Sequence, residues 1–143
     1  VERIRRVTQI AETLKHAWTA DISGEQVFTP LMKYDPSTDD LKELPRISIG
    51  QSTLIQQIAN KWGISVEQAL ENIKLRTHLK KEITTAGINI NKSFLEAECT
   101  RDANNQFWML IEKNTQEKFF DYLQIKKQWD EWFSSYIEKR KTS

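Results

Sequence analysis

The chain has 143 residues, 38% of them apolar and 29% charged, with 21 Lys and Arg against 20 Asp and Glu. That length suits one folded domain with a core. A net charge of +1 argues against a non-specific nucleic-acid or membrane-surface binder, which needs an excess of cations. Cys99 is the lone cysteine, so an intrachain disulfide is excluded and a reducing compartment is the simplest reading. No apolar run approaches the roughly 20 residues that span a bilayer, and the N-terminus lacks a signal-peptide pattern. The expectation is a soluble, cytoplasmic chain.

In chain order, the β-branched residues Ile4, Val7, Thr8 and Ile10 favour a strand over a competing helix. Asp21-Ile-Ser-Gly24 reads as a turn. Gln26–Tyr34 reads as a second strand, which Pro30 should push to a sheet edge or break. A two-stranded antiparallel element follows from this pairing. Asp35-Pro-Ser-Thr-Asp-Asp40 has turn chemistry, because Asp side chains bond nearby amides and Pro fixes φ. Leu41–Gly50, with Pro45, reads as irregular or briefly extended.

The rest reads as helical. Ser52 can cap a helix with Leu54, Ile55, Ile58, Ala59 and Trp62 on its apolar side, closed by Gly63. Ser65 and Gln68 have capping-box spacing before a second helix over 66–86. Ser93 is the expected cap of a third, whose polar middle, Arg101–Gln106, could break it; Phe107–Ile111 fits helix or strand. Thr115–Lys141 is the longest pattern, with Phe119, Tyr122, Ile125, Trp129, Trp132 and Tyr136 at spacings of three and four and Phe133 widening the stripe. The predicted fold class is α+β, mostly helical: a two-stranded antiparallel element, a helix pair and a long C-terminal helix. It is read as a single domain over 1–143, with hairpin and loop to residue 50, helix pair over 51–90 and helical tail over 91–143.

Chemistry-bearing patterns are missing. Gly24, Gly50, Gly63 and Gly87 have no phosphate-loop spacing. His16 and His78 stand alone, without metal-ligand spacing. Cys99 lies near Glu96 and Glu98, which would blunt a thiolate. No catalytic, cofactor-binding or metal-ligating residue is assigned. Two interaction readings remain. Residues 54–76 resemble a DNA-binding helix-turn-helix, but Glu67 and Glu71 would face phosphates with only Lys74 and Arg76 further along. The aromatic stripe is core, or it anchors a partner, with Trp132 and Tyr136 the better anchors and Trp129 and Phe133 beside them. In the second case the chain is a stand-alone interaction module.

Three pieces in fixed order carry a resemblance: Arg5-Arg-Val-Thr-Gln-Ile10, then Phe28 with Lys33-Tyr-Asp-Pro-Ser-Thr-Asp39, then Ser52 through Leu54, Ile58 and Ala59 to Gly63-Ile-Ser-Val-Glu-Gln68. Together with Arg76 and Gly87-Ile88 they resemble the C-terminal segment of type II/type IV secretion ATPases, in the archaeal branch that drives pilus, flagellum and secretion assembly. Gln9 stands where that family has Glu, and residues 91–143 have no counterpart. The resemblance implies a non-catalytic C-terminal domain of a hexameric motor. Its Walker segments, and with them ATP and magnesium, would belong to a part of the parent enzyme upstream. Its partners would be the ATPase core, neighbouring subunits and an inner-membrane platform protein, at a cytoplasmic site peripheral to the membrane. Arg5 and Arg6 would then be interaction residues with Trp129, Trp132, Phe133 and Tyr136.

Overall fold

The computed structural model describes residues 5–13, 28–48, 50–116 and 121–141. The fold is α+β and mostly helical. Strands β1 (Gln9–Thr13), β2 (Phe28–Asp35) and β3 (Asp40–Glu43) precede helices α1 (Pro45–Ser48), α2 (Thr53–Trp62) and α3 (Val66–Asn89). A short 3-10 turn, Lys92–Leu95, then leads to α4 (Ala97–Gln116) and α5 (Tyr122–Lys141). The chain divides into two compact units, residues 1–70 and 71–143.

In the first unit the sheet has three strands in the order β1-β2-β3, antiparallel throughout, rather than the expected two. The third strand follows directly from the 35–40 turn. Asp35 accepts from the Ser37 N–H at 2.9 Å, and Asp39 takes the left-handed conformation at φ 49°. Asp tolerates that conformation because its short side chain bonds locally. Pro30 lies in the central strand, contrary to the edge position expected for it. The fold accommodates it because β3 pairs only from Met32 onward, and the β1 register slips between Ile10 and Ala11, so no sheet hydrogen bond is asked of Pro30 nitrogen. The turn expected at Asp21–Gly24 lies outside the described residues.

The helix ends follow local rules. Ser52 Oγ accepts from the Ile55 N–H, 3.4 Å away. Gly63 at φ 66° closes a Schellman motif, with Ile64 N–H bonded to Ala59 O and Gly63 N–H to Asn60 O. Ser65 and Gln68 form the reciprocal capping box, at 2.9 and 3.1 Å. The small core here joins Ile55, Ala59 and Ala69, with Ile47, Ile64, Val66 and Leu70 packed on it.

The second unit holds the larger core, built from one buried residue per turn on three helices: Leu75, Leu79 and Ile83 on α3, Cys99, Ala103 and Phe107 on α4, and Ile125, Trp129 and Phe133 on α5. Asn91, rather than Ser93, caps the 3-10 turn, and α4 starts only after Glu96. The polar stretch 101–106 does not break α4, because Cys99, Ala103 and Phe107 keep its inner face apolar at every turn. Thr115 and Gln116 end α4 rather than beginning the last helix, which is described from Tyr122; Phe119 lies outside the described residues.

Candidate interaction surfaces

The first and second pieces of the sequence motif meet at a guanidinium. Arg6 donates to both oxygens of Asp39, Nε to Oδ1 at 2.7 Å and an Nη to Oδ2 at 2.8 Å. The Tyr34 hydroxyl donates to Oδ1 of the same carboxylate at 2.8 Å. A two-pronged Arg–carboxylate pair fixes orientation as well as charge. These bonds, Arg6 first, hold the Asp39 carboxyl at about 2, and Asp39 in turn raises Tyr34. Lys42 pairs with Asp35 beside it. Arg6 is therefore occupied within its own unit, whereas Arg5 is exposed and donates no side-chain bond to another group among the described residues.

Glu12, two residues beyond the first piece and 1% exposed, meets the start of the third. Its Oε2 accepts from Ser52 Oγ at 2.9 Å and from Leu54 N–H at 3.1 Å, and its Oε1 from Thr53 N–H and Arg46 Nε, both at 3.2 Å. A strand carboxylate thus sits on the open amides at the start of α2, where the helix dipole favours a negative charge. Burial alone would raise this carboxyl; the four donors outweigh burial and lower it below the ordinary value of 4.5.

The aromatic stripe of α5 divides. Trp129 is 0% exposed and donates through Nε1 to Ala103 O of α4 at 3.0 Å, and Phe133 stacks on it with ring centroids 4.8 Å apart. Both are core. Trp132 and Tyr136 are half-buried and pack against that core. The Tyr136 hydroxyl donates to Asp102 at 3.1 Å, and Arg140 lies over its ring at 5.2 Å. Burial, then the bond to Asp102, pushes Tyr136 up to about 12. Cys99 is fully buried, and burial raises its thiol above the ordinary range, away from a reactive thiolate.

On α2 only part of the apolar side is buried. Ile55 and Ala59 face the core, while Leu54, Ile58 and Trp62, spaced by four, are 46%, 43% and 50% exposed. Two helices form on either side of the Gly63 turn, and Glu67 and Glu71 stand exposed in the first turns of the second, where DNA phosphates would lie in a DNA-binding helix-turn-helix. A groove of about 210 Å³ between α3 and α5 is lined by Lys74, Leu75, His78, Tyr122 and Lys126, with Glu71 at its edge. His78 is paired beside it with Asp130, at 2.7 Å. Among the described residues no group of three His, Cys, Asp or Glu is placed to hold a metal ion. No helix among them is long and apolar enough to cross a membrane.

No family model matches the chain, and no curated protein or solved structure matches it either.

Proposed function

We propose that this chain is a non-catalytic, cytoplasmic C-terminal domain of a secretion or pilus-assembly motor ATPase. It serves contacts with the motor's core, its neighbouring subunits or the membrane platform protein. The observation that carries the reading is the convergence of the three motif pieces. Arg6 of the first piece is clamped to Asp39 of the second, whose carboxylate also accepts from Tyr34, and Glu12, two residues after the first, seats the opening of the third at Ser52 and Leu54. The first two pieces, matched only by order along the chain, hold each other by directed polar bonds, and a carboxylate just beyond the first holds the start of the third. That is what a shared structural unit requires and a chance series of short matches does not.

The domain would contribute no nucleotide chemistry, so ATP and magnesium would be held by the parent's core. The test has two parts. The purified chain should show no ATP hydrolysis above background, and the reading frame upstream of Val1 should encode Walker A and Walker B segments. Hydrolysis by the chain alone, or an upstream frame without those segments, overturns the reading.

A further inference from the structure

On α3, Glu71 and Lys74 both line the groove on the α5 side with Tyr122, and Glu82 approaches His78 there. The opposite, outward side carries Arg76, Lys80 and Lys81, none of which makes an ion pair among the described residues. Two depressions open there. A narrow one of about 50 Å³ runs between α3 and α4, with Arg76, Lys80, Thr100 and Asn104 around a floor of Leu79 and Ile83. A shallow one of about 380 Å³ lies along α3 over Thr77, Lys80, Lys81 and Thr84. No carboxylate lines either one. At the two ends of the same side stand Ile73 and Ile88, 44% and 73% exposed. At the α-helical rise they are roughly 22 Å apart.

We propose that this α3–α4 face docks an acidic segment of a partner protein, with carboxylates over Arg76, Lys80 and Lys81 and an apolar residue over each of Ile73 and Ile88. Charge complementarity selects the occupant. Three cations with no ion pair among the described residues, beside depressions that no carboxylate lines, favour an anionic partner. A nucleic acid would extend its phosphates past this small patch onto a molecule whose net charge is only +1 and whose same helix bears Glu71 and Glu82 on its flank. A protein segment can confine its charge to the patch. The inference uses none of the motif residues before Gln68, and it stands whether or not the parent is a motor.

The test uses the full 143-residue chain. The probe is a fluorescein-labelled helix-forming peptide of about 15 residues, the length that spans ~22 Å, with a leucine at each end and glutamates between. The comparators are the same peptide with serine for both leucines and a thymidine oligonucleotide of equal length. Anisotropy at low salt should show saturable binding of the leucine peptide. Arg76→Ala/Lys80→Ala/Lys81→Ala should weaken it about tenfold. Lys92→Ala/Lys113→Ala/Lys127→Ala, which removes the same charge from other exposed positions, should change it less than about twofold. Ile73→Ser/Ile88→Ser should abolish the preference for leucine over serine. Unchanged circular dichroism and Tm in these surface variants would exclude misfolding as the cause. Equal losses in the two triple charge-removal variants, oligonucleotide binding as tight as the peptide at the same residues, or no peptide binding by the unmodified chain would each overturn the proposal.

Discussion

A carboxylate removed from water needs its lone pairs filled, and Glu12 shows what that demand does to a fold. Its four donors come from α1, from the cap of α2 and from two open amides of that helix. Glu12→Gln keeps the shape but turns an N–H toward groups that are themselves donors. It should cost about 2 kcal/mol at pH 7. The pH dependence follows from the direction of the shift. The folded carboxyl lies below the ordinary 4.5, so its contribution is fully present above that value and is lost as pH falls through the lower folded value. Urea unfolding of both proteins from pH 7 to pH 3 should show the gap between them closing below about pH 4. A gap that persists unchanged at pH 3 would remove the charge from the explanation. Nothing in the sequence distinguishes Glu12 from the other acids, because its role depends on a helix start 40 residues away. From sequence, Arg6 and Tyr136 read as contacts to a partner, and the bonds they make within the fold, to Asp39 and Asp102, do not show there.

At the scale of elements, the sequence was most readable where the signal is local. The Ser52 cap, the Gly63 terminator and the Ser65/Gln68 box each involve neighbours within five residues, and all three form. Gly63→Ala should cost about 1 kcal/mol in thermal unfolding, since a Cβ is strained at φ 66° even though open space surrounds it. The reading failed where pairing or small residues decide. β3 carries Leu41 as its only apolar residue, so its place beside β2 shows no hydrophobic alternation. The inner face of α4 is hidden because two of its buried positions are Cys99 and Ala103. Gly87 offers a sharper test of local against tertiary demands. It is buried in α3, and a Cβ there would run into the Leu95 side chain. Gly87→Ala alone should lower stability by about 1 kcal/mol, the displaced Leu95 outweighing the better helix former. In a Leu95→Ala background the same change should instead stabilise by up to about 1 kcal/mol. Thermal melts of the four proteins read the sign directly, and destabilisation in both backgrounds would show that the contact is not with Leu95.

The two units differ in what they bury, and this difference governs how the whole molecule should open. Among the described residues of 71–143 the core has 13 buried side chains, including Trp129, Phe94 and Phe107 at 1% exposure or less. Among the described residues of 1–70 the core is three, Ile55, Ala59 and Ala69, while Val7, Ile10, Phe28, Leu54, Ile58 and Trp62 are between 42% and 62% exposed. At roughly 25 cal/mol per Å² of apolar surface removed from water, the described part of the first unit gains far less than that of the second. Directed polar bonds such as Arg6–Asp39 and Glu12–Ser52 fix its geometry without replacing that apolar burial, the first being exposed and screened by water. Unfolding should therefore not be two-state. Amide hydrogen exchange followed by mass spectrometry should find β1, β2 and α2 exchanging through a low-energy opening, while α4 and α5 stay protected up to the global limit. A Trp129→Phe change, which removes the bond to Ala103 and leaves a gap, should lower protection across α4 and α5 by about 2 kcal/mol and leave β1 and β2 unchanged. One common protection level in both units, falling together in that variant, would mean that the chain opens as a single cooperative body.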